Sequence, residues 1–425
     1  MNASDFPVEI LRRRFPALRT AGSFVFFDNA AGAQVPDGVI EAVRRHLIER
    51  NVQRGGRYPR SLAVDAMISW ARSHVAAFVN ARQPEEIAFG MNATSFIRTV
   101  SLAIGEMLGQ RDEIVVTDLD HEANVATWLA LERTGAKVRW WHMRQDGCLH
   151  PQDLRSVLGP RTRMVACALA SNALGSIVDV RAAADLAHEA GAEIFVDAVH
   201  YGPHGVIDVQ ALDCDYLVCS GYKIFAPHMG FLWGRHETLA RLATFREDFI
   251  PDEPPGKLEA GTFIYENVAG MAAAIEYLAE LGRAVTGRGD PAAETSMRED
   301  CRAAMGVIRE YEQSLSLELL RVLRDCGAEI YGLSDESRVA DRVPTFCFNL
   351  SGIAPAAVTQ AAAAAGIGVR DGHMYSPRLM RRLGLSLESG AVRVSLAHYN
   401  TVAEVRQLGA VLSRLRESAP SVPVR

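Results

Sequence analysis

A chain of 425 residues, 48% hydrophobic and 23% charged, can bury a substantial core and is too long for one ordinary domain, so two are expected. Its formal charge of -6 is small for this size, and no block of like charges runs beyond short clusters such as Arg12-Arg13-Arg14 and Arg381-Arg382, which argues against nucleic-acid and membrane partners and for a small molecule. The seven cysteines are scattered without a Cys-x-x-Cys pair, the N-terminus shows no signal-peptide pattern, and no unbroken apolar stretch nears the roughly 20 residues that span a bilayer; a soluble cytoplasmic protein without a metal centre is expected.

From about residue 84 to 235 short β-branched runs alternate with amphipathic stretches, the pattern of a parallel sheet covered by helices. The runs predict strands at 86–89, 113–117, 137–141, 164–168, 193–196, 216–219 and 231–233. Between them, Val125, Trp128, Leu129 and Leu131 predict a helix over 124–133, and an alanine-rich segment ending at Gly191 predicts another over 180–190. A helical run at 268–281 then leads into a polar stretch, 283–300, with Gly287, Gly289 and Pro291, which reads as an exposed insertion. Further on, helices are predicted at 303–326, 356–365 and 401–416, and strands at 329–331, 345–350, 368–370 and 392–395. The expected organisation is an N-terminal segment (1–25) packing with a small α+β domain (266–425), and between them a large α/β domain (26–265).

The strongest chemical signal is Cys219-Ser220-Gly221-Tyr222-Lys223, which sets a lysine just after a buried apolar strand, at the end where α/β enzymes bind ligands. Desolvation there lowers the lysine pKa and frees its amine for Schiff-base formation, while Gly221 permits a tight turn and Ser220 offers a hydroxyl to an anion. Alone, such a lysine is more often a solvated surface residue. The strand at 193–196, however, runs into Asp197, and an acidic residue at a neighbouring strand end can keep a pyridine nitrogen protonated, as pyridoxal 5'-phosphate (PLP) requires. An N-cap is the ordinary reading of that aspartate. The pair together points to PLP.

Along nearly its whole length the sequence resembles the class V aminotransferase family of PLP enzymes, in particular the cysteine desulfurase group. The resemblance rests on Phe27-Asp28-Asn29-Ala30-Ala31-Gly32, on Asn51-Val52-Gln53-Arg54-Gly55-Gly56 and on Leu258-Glu259-Ala260-Gly261-Thr262. It implies the fold type I, aspartate aminotransferase-like architecture: a large α/β domain with a mostly parallel sheet, and a smaller α+β domain. It makes Ala93 and Thr94 the phosphate cradle at a helix N-terminus, with Ser220 adding a contact. It implies that His121 stacks on the ring, that Asn172 lies near the phenolic oxygen, and that His200 touches phosphate or ring. Thr262 resembles a residue sent to the phosphate of a neighbouring subunit, which implies a homodimer with its site at the interface. Arg393, in an apolar strand, resembles the arginine that clamps a substrate α-carboxylate, although a buried ion pair would use it equally well. Asn29 and Arg54 join it as expected substrate contacts.

The sequence departs from that group where a desulfurase carries its nucleophilic cysteine. The matching segment, 369–377, contains none, Tyr375 takes that place, and the nearest cysteine in the chain is Cys347. Tyr222 also replaces a histidine that often precedes the cofactor lysine. The expected activity is therefore a reaction at Cα or Cβ of an amino acid, foremost β-elimination as a carbon-sulfur lyase, with Lys223 moving the α-proton and Tyr375 or His121 protonating the leaving group. An aminotransferase or epimerase, a true cysteine desulfurase and a non-catalytic scaffold are the alternatives.

Overall fold

The computed structural model describes residues 6–259, 261–287 and 296–418. After a short β1 (Val25–Phe26), seven strands make the central sheet: β2 (Ile87–Gly90), β3 (Glu113–Thr117), β4 (Lys137–Trp141), β5 (Thr162–Ala168), β6 (Glu193–Asp197), β7 (Tyr216–Ser220) and β8 (Gly230–Gly234). Their order is β2-β8-β7-β6-β5-β3-β4, and β8 alone runs antiparallel to its neighbours. Alternate residues of the inner strands feed cores on opposite faces: Ile194 and Val196 of β6 join one, Phe195 the other, and Leu217 and Val218 of β7 divide likewise. Burial on both faces accounts for the near-continuous apolar runs of these strands.

A second sheet, with order β12-β13-β10-β9, combines β9 (Ala328–Tyr331), β10 (Thr345–Leu350), β12 (Arg370–Gly372) and β13 (Ala391–Ser395). A parallel pairing of β1 with β11 (Ile367–Gly368) ties the N-terminal segment to this part of the chain. Phe6 reinforces the tie by stacking on Tyr311 with ring centroids 4.3 Å apart.

The strand expectations hold to within a few residues, and the departures have local causes. The helix expected at 124–133 divides into Ala123–Leu129 and a 3₁₀ segment, Ala130–Thr134, closed by Gly135 at φ 101°. The strand expected at 368–370 is two, because β11 pairs with β1 while β12 turns to pair with β13. The polar stretch at 283–300 is not an insertion throughout. The preceding helix runs on to Val285, and the next, Met297–Asp325, starts early with Ser296 Oγ accepting from Glu299 N–H. Arg283 bridges the two by an ion pair to buried Asp300 at 2.9 Å. The centre of the stretch, 288–295, lies outside the described residues.

Candidate active site

The strands β3, β5, β6 and β7 end on one side of the sheet, where β2 also delivers the chain to helix Ala93–Glu106, and an open cleft lies there. Ala93 and Thr94 line it as the first residues of that helix, so their backbone N–H groups have no partner within the helix. Asn92 caps the helix by accepting from Ser95 N–H at 2.8 Å and leaves those two groups free. The approach depends on Gly230: a Cβ there would stand 2.7 Å from the Ala93 nitrogen. Ser220, the last residue of β7, adds a hydroxyl to the same wall.

Lys223 ends the 3₁₀ turn Gly221–Lys223. Gly221 is needed there less for its backbone freedom than for space, since a Cβ would meet the Pro227 carbonyl oxygen at 2.6 Å. Lys223 is 5% exposed and its amine faces the cleft. Burial, reinforced by the charge of Arg393 and opposed by Asp197, lowers its pKa to about 8. Asp197 ends β6, where one carboxylate oxygen accepts from Val199 N–H at 2.9 Å, and burial raises its pKa. His200 is buried with Nε2 on the Thr345 hydroxyl at 3.0 Å, while its Nδ1 has no partner.

His121 is set by the turn after β3. There Asp120 accepts from the Thr117 hydroxyl at 2.7 Å, from Ala168 N–H at 3.0 Å and from the Asn124 amide at 2.7 Å. Burial, then the charges of Lys223 and Arg393, lower the His121 pKa to about 4. Its Nδ1 accepts from Ala123 N–H, which leaves Nε2 as the protonated nitrogen of a neutral ring. Tyr222, also on the cleft wall, stacks on His228 with centroids 5.2 Å apart.

Arg393 reaches the site from β13. Its guanidinium donates to the Asn172 carbonyl and to Asp28 Oδ1, each at 3.0 Å, while Nε stays buried without a partner. Arg370 holds the other oxygen of Asp28 at 2.8 Å. Asn172 lines the cleft and its side chain holds the turn bearing Tyr375. The Tyr375 ring centroid lies 5.8 Å from that of His121, and the residue is 53% exposed.

Five expected residues are not among those that line the cleft: Arg393 and Tyr375, which stand beside it, and Asn29, Arg54 and Thr262. Asn29 is a buried strut: its amide donates to the Phe26 and Ser395 carbonyls and to Asn400, and its carbonyl accepts from Tyr399. Arg54 pairs with Asp65 at 3.4 Å, and Thr262 accepts from the Gln53 amide at 2.5 Å; neither lines the cleft of its own chain. Sequence reasoning missed Asp28, Arg370 and Ser376. For Asp28 one signal existed, since an arginine in an apolar strand demands a carboxylate.

The free groups fit PLP: a buried amine without a hydrogen-bond partner among the described residues, a carboxylate beside it, an orphaned imidazole nitrogen, and a helix N-terminus with a neighbouring hydroxyl for an anion. Among the described residues no three or more His, Cys, Asp or Glu side chains are grouped to hold a metal ion, and no helix is long and apolar enough to cross a membrane.

Comparison with known proteins agrees with this geometry. The chain is 35% identical to an aminotransferase-like protein of Gibberella zeae over 96% of this chain and 98% of that one. It is 31% identical to a cysteine desulfurase of Synechococcus elongatus, over 97% of this chain and 64% of the other. The solved structure of a cysteine desulfurase from Thermococcus onnurineus superposes with a TM-score of 0.85 at 26% identity, covering 98% of this chain and 100% of that one. One from Escherichia coli gives 0.80 at 27% identity, again covering 98% and 100%. Residues 25–299 and 301–408 match the family described as aminotransferase class-V, and the chain belongs to that family of PLP-dependent, fold type I enzymes.

Proposed function

We propose that this enzyme cleaves the Cβ–S bond of a sulfur-bearing amino acid and releases the sulfur as a small thiol, without a persulfide on the protein. One observation carries this reading: the segment 369–377, which resembles the one where a desulfurase presents its cysteine, contains none, and all seven cysteines of the chain are buried. A sulfur nucleophile must ionise at an accessible place. Burial instead raises the pKa of the thiols of Cys167, Cys214, Cys219 and Cys347.

PLP, when bound, supplies an electron sink for the substrate Cα. Lys223 Nζ would hold the cofactor and, once released from it, take the Cα proton, a task suited to an amine whose pKa lies at about 8. Asp197 would keep the ring nitrogen charged, and Ala93, Thr94 and Ser220 would bind the phosphate. His200, Asn172 and neutral His121 would contact the ring. Arg393 orients the substrate carboxylate, and Tyr375 gives its hydroxyl proton to the departing sulfur. The overall change is R–S–CH₂–CH(NH₃⁺)–COO⁻ + H₂O → R–SH + CH₃–CO–COO⁻ + NH₄⁺.

The same reading includes a homodimer in a cytoplasmic setting, in which Thr262 and Arg54 of one copy reach the cleft of the other. The exposed Trp70, Met91 and Leu102 support it as apolar surface left over in a single chain.

Transamination is the second reading, supported by the relative named aminotransferase-like. The test is to incubate the holoenzyme with cysteine and cysteine S-conjugates and to measure pyruvate, ammonia and the released sulfide or thiol. Equal amounts of all three are expected. Absence of pyruvate from every sulfur amino acid, with the amino group passing instead to an added 2-oxo acid, refutes elimination.

A further inference from the structure

We propose that Ser376 is a positioning residue: acting through Asn172, it fixes the turn 373–376 so that the Tyr375 hydroxyl stays at the mouth of the cleft. This rests on the elimination reading above, in which Tyr375 is the proton donor.

Five hydrogen bonds hold the turn. Ser376 is fully buried and its hydroxyl donates to Asn172 Oδ1 at 3.0 Å, while Asn172 Nδ2 donates to the Met374 carbonyl at 2.8 Å. Glu122 N–H donates to the Tyr375 carbonyl at 2.8 Å, Tyr375 N–H to His373 Nδ1 at 3.1 Å and Ser376 N–H to the His373 carbonyl at 2.8 Å. These bonds hold an unfavourable backbone, because Met374 at φ 52° and Tyr375 at φ 57° are consecutive residues in the left-handed region without being glycine. Such a conformation persists only where its surroundings over-determine it. Its effect is to sink the Met374 side chain into the core, at 2% exposure, and to turn the next ring outward beside His121.

Ser376 is the one polar side chain of the turn that is wholly buried, and Asn172 Oδ1 is its hydroxyl's partner. That bond orients the amide, so that Nδ2 points at Met374 and its second hydrogen remains available to the cleft. Loss of the hydroxyl loosens both at once. An arm pinned in this way cannot carry sulfur away from the site, which suits a thiol that leaves by diffusion.

The test combines hydrogen exchange with a double-mutant cycle on the holoenzyme. In the wild type, the amides of Tyr375 and Ser376 should be protected, and Ser376→Ala should speed their exchange about tenfold without changing that of β6 and β7. For elimination, Ser376→Ala should lower kcat about tenfold, the scale of one lost hydrogen bond, with KM nearly unchanged. In a Tyr375→Phe background it should have no further effect. Ser376→Cys, which keeps the shape and a weak donor, should give a smaller loss and serves if the alanine variant does not fold. The assignment is overturned if the wild-type turn exchanges as a free loop, or if the losses from Ser376→Ala and Tyr375→Phe multiply. Failure of the elimination reading itself shows separately, as absence of pyruvate from the wild type, and the exchange measurement still decides whether the turn is pinned.

Discussion

Replacing Lys223 should make the cofactor-free protein more stable at neutral pH. Lys223 is 5% exposed, its amine has no hydrogen-bond partner among the described residues, and its pKa falls from 10.5 to about 8. The folded protein therefore releases this proton at a lower pH than the unfolded chain does. Between those two values the unfolded chain binds more protons, so stability rises with pH across the window, and the whole penalty is present below pH 8. With about 1.4 kcal/mol per tenfold change in proton affinity, the penalty is on the order of 3 kcal/mol. Lys223→Met keeps the volume and removes the charge. Urea unfolding of both cofactor-free proteins at pH 7 and near pH 10 isolates this effect, because other titrating groups cancel between the two proteins at each pH. The variant should be more stable by about 3 kcal/mol at pH 7, with the gap narrowing toward pH 10. A gap that does not change with pH would mean that the native amine is solvated, and the reasoning from burial would fail.

Asp197→Asn should leave PLP bound but slow turnover on the order of 10²-fold, read as kcat at saturating substrate; a smaller change than tenfold counts against its role at the ring nitrogen. Arg393→Gln should raise KM for a free amino acid by about 10- to 100-fold and leave the KM of the corresponding amide unchanged, as loss of a charged hydrogen bond dictates. The buried pair of His204 and Glu312, 2.8 Å apart, should make Glu312→Ala costly by about 3 kcal/mol in urea unfolding, whereas leucine at both positions should recover most of it. His121, with its pKa at about 4, should show no NMR titration between pH 5 and 8, and an inflection near 6.5 refutes the burial argument.

The strand ends that form the cleft were legible because burial on both faces of the sheet writes itself into the sequence as unbroken apolar runs. Lys223 and Asp197 could be read as a pair since each directly follows such a run. The long-range contacts around them could not. Arg393 meets Asp28 across 365 positions and Asn172 meets Ser376 across 204, and no local pattern encodes a contact at that distance. Asn29 illustrates the opposite error: its motif placed it near the substrate, but Tyr399 and Asn400 turn its amide inward as a strut. The polar stretch near Arg283 misled for another reason, because Gly and Pro marked a break whose flanks are helical and joined by a buried ion pair.

Several unfavourable features of the molecule lie at the cleft or in its supporting shell. They are a buried amine, an arginine Nε and a histidine Nδ1, each without a hydrogen-bond partner among the described residues, and two left-handed residues in succession. Each lowers the stability of the folded chain, and only the left-handed pair is held by neighbouring hydrogen bonds. Groups of this kind persist where a ligand satisfies them, because binding to the folded state alone stabilises it by mass action. An anionic cofactor with an aldehyde and a basic ring nitrogen relieves the amine, the carboxylate beside it and the helix N-terminus together. Under the proposed reading a substrate carboxylate would find Arg393 already oriented by Asp28 and Asn172, with Nε still without a partner among the described residues. The cofactor-free chain is thus held short of its most favourable state by the same groups that a bound cofactor and substrate would satisfy.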